Sequence, residues 1–285
     1  MKKNYSFLII FFFLFSLSYS QTTVTVADGS ESVFVPSYMG YDYGYSEQIY
    51  LQTEINKQGV IDQIQFETDG NKTETRTVKI FMGHTTKSSN SSTTDWITSN
   101  GLVQVYSGTW SVVGVGSAYW FAINLDTDFE YNNVDNLVIA VQDLTGSWLA
   151  SPGKFNGVTT ADYRSLLQVA DGTEVSGLSP GTAPGRYQRV PSLKLRIKPL
   201  INAGGSISGL NYATGSGPSS SQFMSVSGST LDANITVTAP TNFEVSTDNS
   251  SFSDNLALTP SSGVVSNTAV YVRLKSGLNA GLYDG

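Results

Sequence analysis

The sequence predicts an all-β chain, with a large antiparallel β-sandwich over residues 21–199 and a second, incomplete sandwich over residues 207–285. Three observations predict it. Beyond residue 21, no stretch carries the apolar period of an amphipathic helix. Short runs rich in Val, Ile, Tyr, Phe and Thr are instead separated by clusters of Gly, Asn, Asp and Ser, the pattern of strands and turns. Cysteine is absent. Disulfides therefore cannot staple a small fold, and the chain must bury a sizeable apolar core. For the first sandwich, a jelly-roll winding is one of the arrangements open to it.

The elements follow in order. Val24–Ala27 alternates apolar and polar residues. Gly59–Glu67 places Ile61, Ile64 and Phe66 in the core, with a slip of phase after Ile61 that a β-bulge explains. Thr77–Met82 puts Val78, Ile80 and Met82 on one face, and Leu102–Tyr106 puts Leu102, Val103 and Val105 near the core. Tyr119–Leu125 reads as a buried strand, Trp120 included. Asn136–Gln142 is nearly all apolar, which predicts a central strand. Residues 152–189 are rich in Gly and Pro and read as a long irregular excursion. Ser192–Ile197 alternates cleanly and closes the first unit.

Pro199–Ser206 (PLINAGGS) then supplies Pro and Gly without periodicity, and marks a linker at residues 200–206. Beyond it, strands are expected at Ser221–Val226, Asn234–Thr238, Asn242–Thr247, Asn255–Leu258 and Thr268–Leu274. Tyr283 stands where a tyrosine corner belongs. Residues 281–285 read as a loop entering another strand, so this unit is expected to continue past Gly285.

The first twenty residues read as an export signal. Lys2 and Lys3 supply a positive start, Phe7–Leu17 an apolar run, and Ser18-Tyr19-Ser20 the small residues for cleavage before Gln21. The run falls well short of the roughly 20 residues that span a bilayer. A secreted or cell-surface protein with no membrane insertion after cleavage is the expectation. Charged residues make up only 14% of the chain, and the net charge is −7. That balance argues against a nucleic-acid partner, which needs a surplus of Lys and Arg.

Within the second unit, Ile207–Gly217 (ISGLNYATGSG), Pro218–Gly228 (PSSSQFMSVSG), Ala239–Ser246 (APTNFEVS) and Thr268–Gly277 (TAVYVRLKSG) stand in order. This segment resembles the immunoglobulin-like repeats of large secreted proteins of Bacteroidetes type, cargo of type IX secretion. The resemblance implies an immunoglobulin-like sandwich truncated at its C-terminus. The first unit carries Tyr45–Ile49 (YSEQI), Lys79–Gly83 (KIFMG), Asp95-Trp96-Ile97, Phe129-Glu130-Tyr131 and Asn136–Gly146. It resembles the adhesin-like β-sandwich modules near the N-terminus of similar proteins. The resemblance implies a binding or scaffold role and brings no catalytic residues with it.

Residues able to carry chemistry are few. The single histidine, His84, follows Met82-Gly83 without an acid at a motif spacing, and reads as a loop histidine rather than a general base. Asp126 and Asp128, with Asp135 and Asp143, could hold a structural calcium ion, since hard cations take several oxygens. Strand-end turns explain the same residues. Tyr38, Tyr41, Tyr43, Tyr45 and Tyr50 crowd one stretch, and four tryptophans are spread over the same unit. Flat aromatic faces stack on sugar rings, but strands also favour aromatics. Tyr41, Tyr43, Tyr45 and Trp148 are the expected glycan-binding residues. The reading is a non-catalytic extracellular or cell-surface adhesion protein, its first unit binding a glycan or surface ligand and its second a spacer. The alternative is the accessory region of a larger secreted hydrolase.

Overall fold

The computed structural model describes residues 22–283. The chain is all-β and divides into two compact units, with the boundary between Lys198 and Pro199. The proposed signal segment, residues 1–20, lies outside the described residues.

The first unit contains β1 (Thr22–Val26), β2 (Glu31–Val33), β3 (Tyr43–Tyr50), β4 (Gly59–Thr68), β5 (Glu74–Thr85), β6 (Val103–Val112), β7 (Tyr119–Tyr131), β8 (Asn136–Asp143), β9 (Phe155–Thr159), β10 (Ser165–Ala170), β11 (Arg186–Tyr187), β12 (Arg189–Pro191) and β13 (Leu193–Lys198). One sheet runs β1-β13-β4, with β7 and β9 also paired to β4 and with β2 and β12 flanking β9. The other runs β11-β10-β3-β8-β5-β6. All of these pairings are antiparallel. Eight strands form nested pairs: β1 with β13, β3 with β8, β4 with β7, and β5 with β6. Successive pairs fall in alternate sheets. A long hairpin wound in this way around its core is a jelly roll. The expected central strand, β8, lies between β3 and β5.

The two sheets share one core. Ile61, Ile64 and Phe66 of β4 and Leu193, Leu195 and Ile197 of β13 meet Val78, Ile80 and Met82 of β5 and Leu137, Ile139 and Val141 of β8. Phe66, Trp110, Phe121 and Phe155 form its aromatic centre, with ring centroids 5.7–6.4 Å apart. The register between β4 and β7 shifts between Ile61 and Gln63, the bulge that the phase slip predicts.

Several expectations are corrected. Residues 152–189 are only in part an irregular excursion: residues 171–185 form a long stretch without strands, but the rest contains β9, β10 and β11, strands too short for a clear period. Trp120 is not core: Phe121 and Ile123 take the inward positions of β7, so Trp120 faces outward with the Lys194 ammonium 4.0 Å from its ring centroid. Val103 is likewise exposed.

The second unit contains β14 (Leu200–Gly204), β15 (Gln222–Ser229), β16 (Ile235–Thr238), β17 (Phe243–Ser246), β18 (Asn255–Leu258) and β19 (Val265–Leu274). One sheet runs β14-β15-β19-β17 and the other pairs β16 with β18. Met224, Val226, Ile235, Val237, Val245, Val270 and Val272 fill the core between them. The expected linker at 200–206 is therefore largely a strand. β14 is an edge strand held by backbone bonds to Ser225–Ser229, and such pairing needs no apolar period. Tyr283 donates its hydroxyl to the Asn279 carbonyl at 2.6 Å, the backbone tie of a tyrosine corner.

Candidate functional site

The first unit carries a cleft of about 340 Å³ lined by Val33, Phe34, Val35, Thr159, Tyr163, Leu167, Arg186, Tyr187, Gln188 and Arg189. Its walls come from three places in the sequence. β2 and the residues after it supply Val33–Val35. β9, β10 and the turn between them supply Thr159, Tyr163 and Leu167. β11 and β12 supply the short run Arg186–Arg189. Val33, Val35 and Leu167 are buried and make an apolar floor, while Phe34 and Tyr163 remain exposed at the rim.

An aromatic series leads away from the cleft. The Phe34 ring lies 4.3 Å from Tyr38, and Tyr38 lies 5.4 Å from Tyr41 in an edge-on contact. Tyr41 in turn lies close to Tyr187, whose phenol is held above its usual range first by burial and then by that neighbour. The Arg186 guanidinium stacks 4.1 Å from the Tyr163 ring centroid. Its Nη1 donates to the carbonyls of Asn90 and Ser91 at 2.9 and 3.0 Å. Arg189 donates to the Ser32 carbonyl at 3.2 Å.

A buried ion pair holds the tyrosine-rich segment in place. Arg76, 2% exposed, donates from Nε to Asp143 Oδ2 at 2.8 Å. Its Nη2 reaches the Tyr41 carbonyl at 2.8 Å and its Nη1 the Ser147 carbonyl at 2.6 Å. Ser37 donates to the same Asp143 oxygen at 2.6 Å. Gly146 and Leu149 donate to the carbonyls of Asp42 and Met39. The segment 38–42 and the loop bearing Trp148 are thus tied together around one guanidinium.

The expected binding residues separate on this geometry. Tyr41 joins the aromatic series, and Trp148 is 58% exposed on the adjoining loop. Tyr43 is half-buried, and its hydroxyl sits where a side chain at Gly146 would come within 3.0 Å. Tyr45 is fully buried and presents no face to a ligand. It lies on the outer face of its sheet, packed with Phe81, Ala140, Val175 and Trp96, and donates to the Ile97 carbonyl. Sequence reasoning missed Phe34, Tyr163, Arg186, Tyr187 and Arg189. The available signal was Arg186-Tyr187-Gln188-Arg189, an aromatic flanked by two cations in a chain of low charge.

The carboxylates do not converge. Asp126 accepts from the Ser107 N–H at 2.8 Å, while Asp128 lies 3.6 Å from Lys198. Asp135 accepts from the Asn132 amide, and Asp143 is bound to Arg76. Among the described residues no three His, Asp or Glu side chains gather as a cation site. His84 lies within β5 rather than in a loop. It stacks against Tyr131, and its Nε2 accepts from the Asn132 N–H at 3.2 Å. Partial burial lowers its pKa, and Asp135 opposes that shift.

No protein-family model, curated protein or solved structure matches this chain.

Proposed function

We propose that the chain is a non-catalytic extracellular or cell-surface binding protein whose first unit takes a glycan in the cleft, with the second unit as a spacer. The observation that carries this is the cleft itself, an apolar floor rimmed by Phe34, Tyr163 and Tyr187 and continued by Tyr38 and Tyr41. Flat faces at such a rim stack on the C–H faces of pyranose rings, and a few polar groups around them fix orientation. The lining side chains are aliphatic, aromatic, hydroxyl, amide and guanidinium, a set that binds and orients. The export-type leader and the resemblance to secreted adhesin-like proteins support the location.

The test is a broad glycan array probed with the purified chain at high micromolar concentration. Binding is expected, and Phe34→Ala and Tyr163→Ala should each weaken it several-fold to about tenfold, given the ~0.5–1.5 kcal/mol of one aromatic contact. An array with no bound glycan overturns the reading.

A further inference from the structure

The described residues include six arginines. Four are matched to carboxylates: Arg76 to Asp143, Arg164 to Glu54, Arg196 to Asp62, and Arg273 to Glu244. The other two, Arg186 and Arg189, form no such pair among the described residues, and both line the cleft. Their hydrogen bonds go to neutral backbone carbonyls. A guanidinium has five N–H donors, so these bonds orient each group while leaving further donors and its whole charge unmatched. No Asp or Glu lines the cleft. In a chain of net charge −7, the cleft is thus a local concentration of positive charge.

Unneutralised guanidinium groups beside exposed aromatic rings have a defined chemical complement. The planar fork accepts a carboxylate or sulfate through paired, charge-assisted hydrogen bonds, and the rings accept the apolar faces of sugars. At physiological salt charges beyond about 8 Å are largely screened, so the field at the cleft is set by groups near it. These are Arg186 and Arg189 in its lining and Lys154, whose Nζ lies 5.9 Å from the Phe34 ring centroid, while Glu31 and Asp162 stand beside the lining in sequence but outside it. We propose that the cleft takes an anionic saccharide, a sugar chain bearing carboxylate or sulfate groups, with Arg186 and Arg189 as its anion-binding side chains and Phe34 and Tyr163 against its ring faces. This rests on the glycan-binding reading and narrows it to one chemical class.

The test is calorimetric titration of the purified chain with four probes: oligogalacturonate, its methyl ester, sulfated dextran oligosaccharide and neutral dextran oligosaccharide. At least one anionic probe should bind about tenfold or more tighter than its neutral counterpart, the scale of one charge-assisted contact. Which of the two does so identifies carboxylate or sulfate as the recognised group. Arg189→Gln and Arg186→Gln should each erode the difference, and Arg189→Lys, which keeps the charge but loses the paired fork, should keep only part of it. Arg189 makes only one backbone bond, so R189Q carries the test if R186Q disturbs the segment at Asn90. Equal affinity for charged and neutral probes, both weakened by F34A, would leave the glycan reading standing and overturn the anionic assignment. An anionic preference untouched by R186Q and R189Q overturns it as well. Failure of all four probes overturns it too, and the array then decides the wider reading separately.

Discussion

Glu47 shows how one side chain can set a pH dependence. It is fully buried on β3, and its Oε2 accepts from the Ile97 N–H at 2.6 Å. Burial pushes its carboxyl up to about 7, with Asp95 adding to the shift and the Ile97 N–H, Lys87 and Asn90 opposing it. In the unfolded chain it titrates as an ordinary Glu. Between about pH 4.5 and 7 the folded state therefore binds more protons than the unfolded state, and the contribution of this residue to stability falls as pH rises. Below that window both states are protonated and the penalty vanishes. Glu47→Gln should remove this component, so the gain in stability of E47Q over the parent should grow by about 1–3 kcal/mol from pH 4.5 to 7.5 in urea titrations. A constant difference across that range would show that Glu47 is ionised in the folded chain. Arg76 illustrates a different principle. Its pair with Asp143 is buried on both sides, so Arg76→Met strands a buried carboxylate and should cost about 3–5 kcal/mol. Because Arg76 also holds the Tyr41 and Ser147 carbonyls, the same substitution should raise the mobility of the loop bearing Trp148. Amide hydrogen exchange at residues 144–149 would read that out.

The walls of the cleft depend on how closely β2, β9 and β12 approach one another. Gly157 of β9 lies opposite Glu31 on one side and Pro191 on the other. A Cβ there would come within 2.3 Å of the Val190 carbonyl and 3.0 Å of Val33. Gly157→Ala should force the strands apart, cost about 1–3 kcal/mol as other overpacking does, and weaken saccharide binding by moving Val33 and Arg189. Unchanged binding in a destabilised G157A protein would mean that the rim alone holds the ligand. The same local arrangement explains what sequence could and could not reveal. Strands such as β4, β5 and β13 were legible because Ile64, Phe66, Ile80 and Leu195 alternate with polar residues along one buried face. Period-two spacing also puts Tyr43 and Tyr45 on a common face, but it does not say whether that face is covered. Trp96 and Val175, distant in sequence, pack over Tyr45 and bury it. The cleft was hidden for a related reason. Its residues stand at 33–35, 159–167 and 186–189, and only the pairing of short strands with weak local patterns brings them together.

For the first unit taken whole, the nested winding sets an order of formation. β5 and β6 are neighbours in the chain and pair Val78 with Gly108. β1 and β13 stand at opposite ends of the unit and pair Val26 with Leu193. Closing the outer pair directly would cost the loop entropy of almost the entire unit, whereas each inner pair shortens the effective loop for the next. Folding should therefore be slow, in the range of milliseconds to seconds typical of all-β domains with non-local pairing. The inner hairpin should be formed in the transition state and the outer pair made after it. Val105 of β6 and Val26 of β1 are both buried, so Val→Ala at either site should cost on the order of 2 kcal/mol, enough for a reliable kinetic partition. V105A should slow folding with little effect on unfolding, and V26A should speed unfolding while leaving the folding rate nearly unchanged. Stopped-flow urea chevrons on the two variants separate these outcomes. If V26A slowed folding as much as V105A, the first and last strands would already be paired at the barrier, and the order from the inner pair outward would fail.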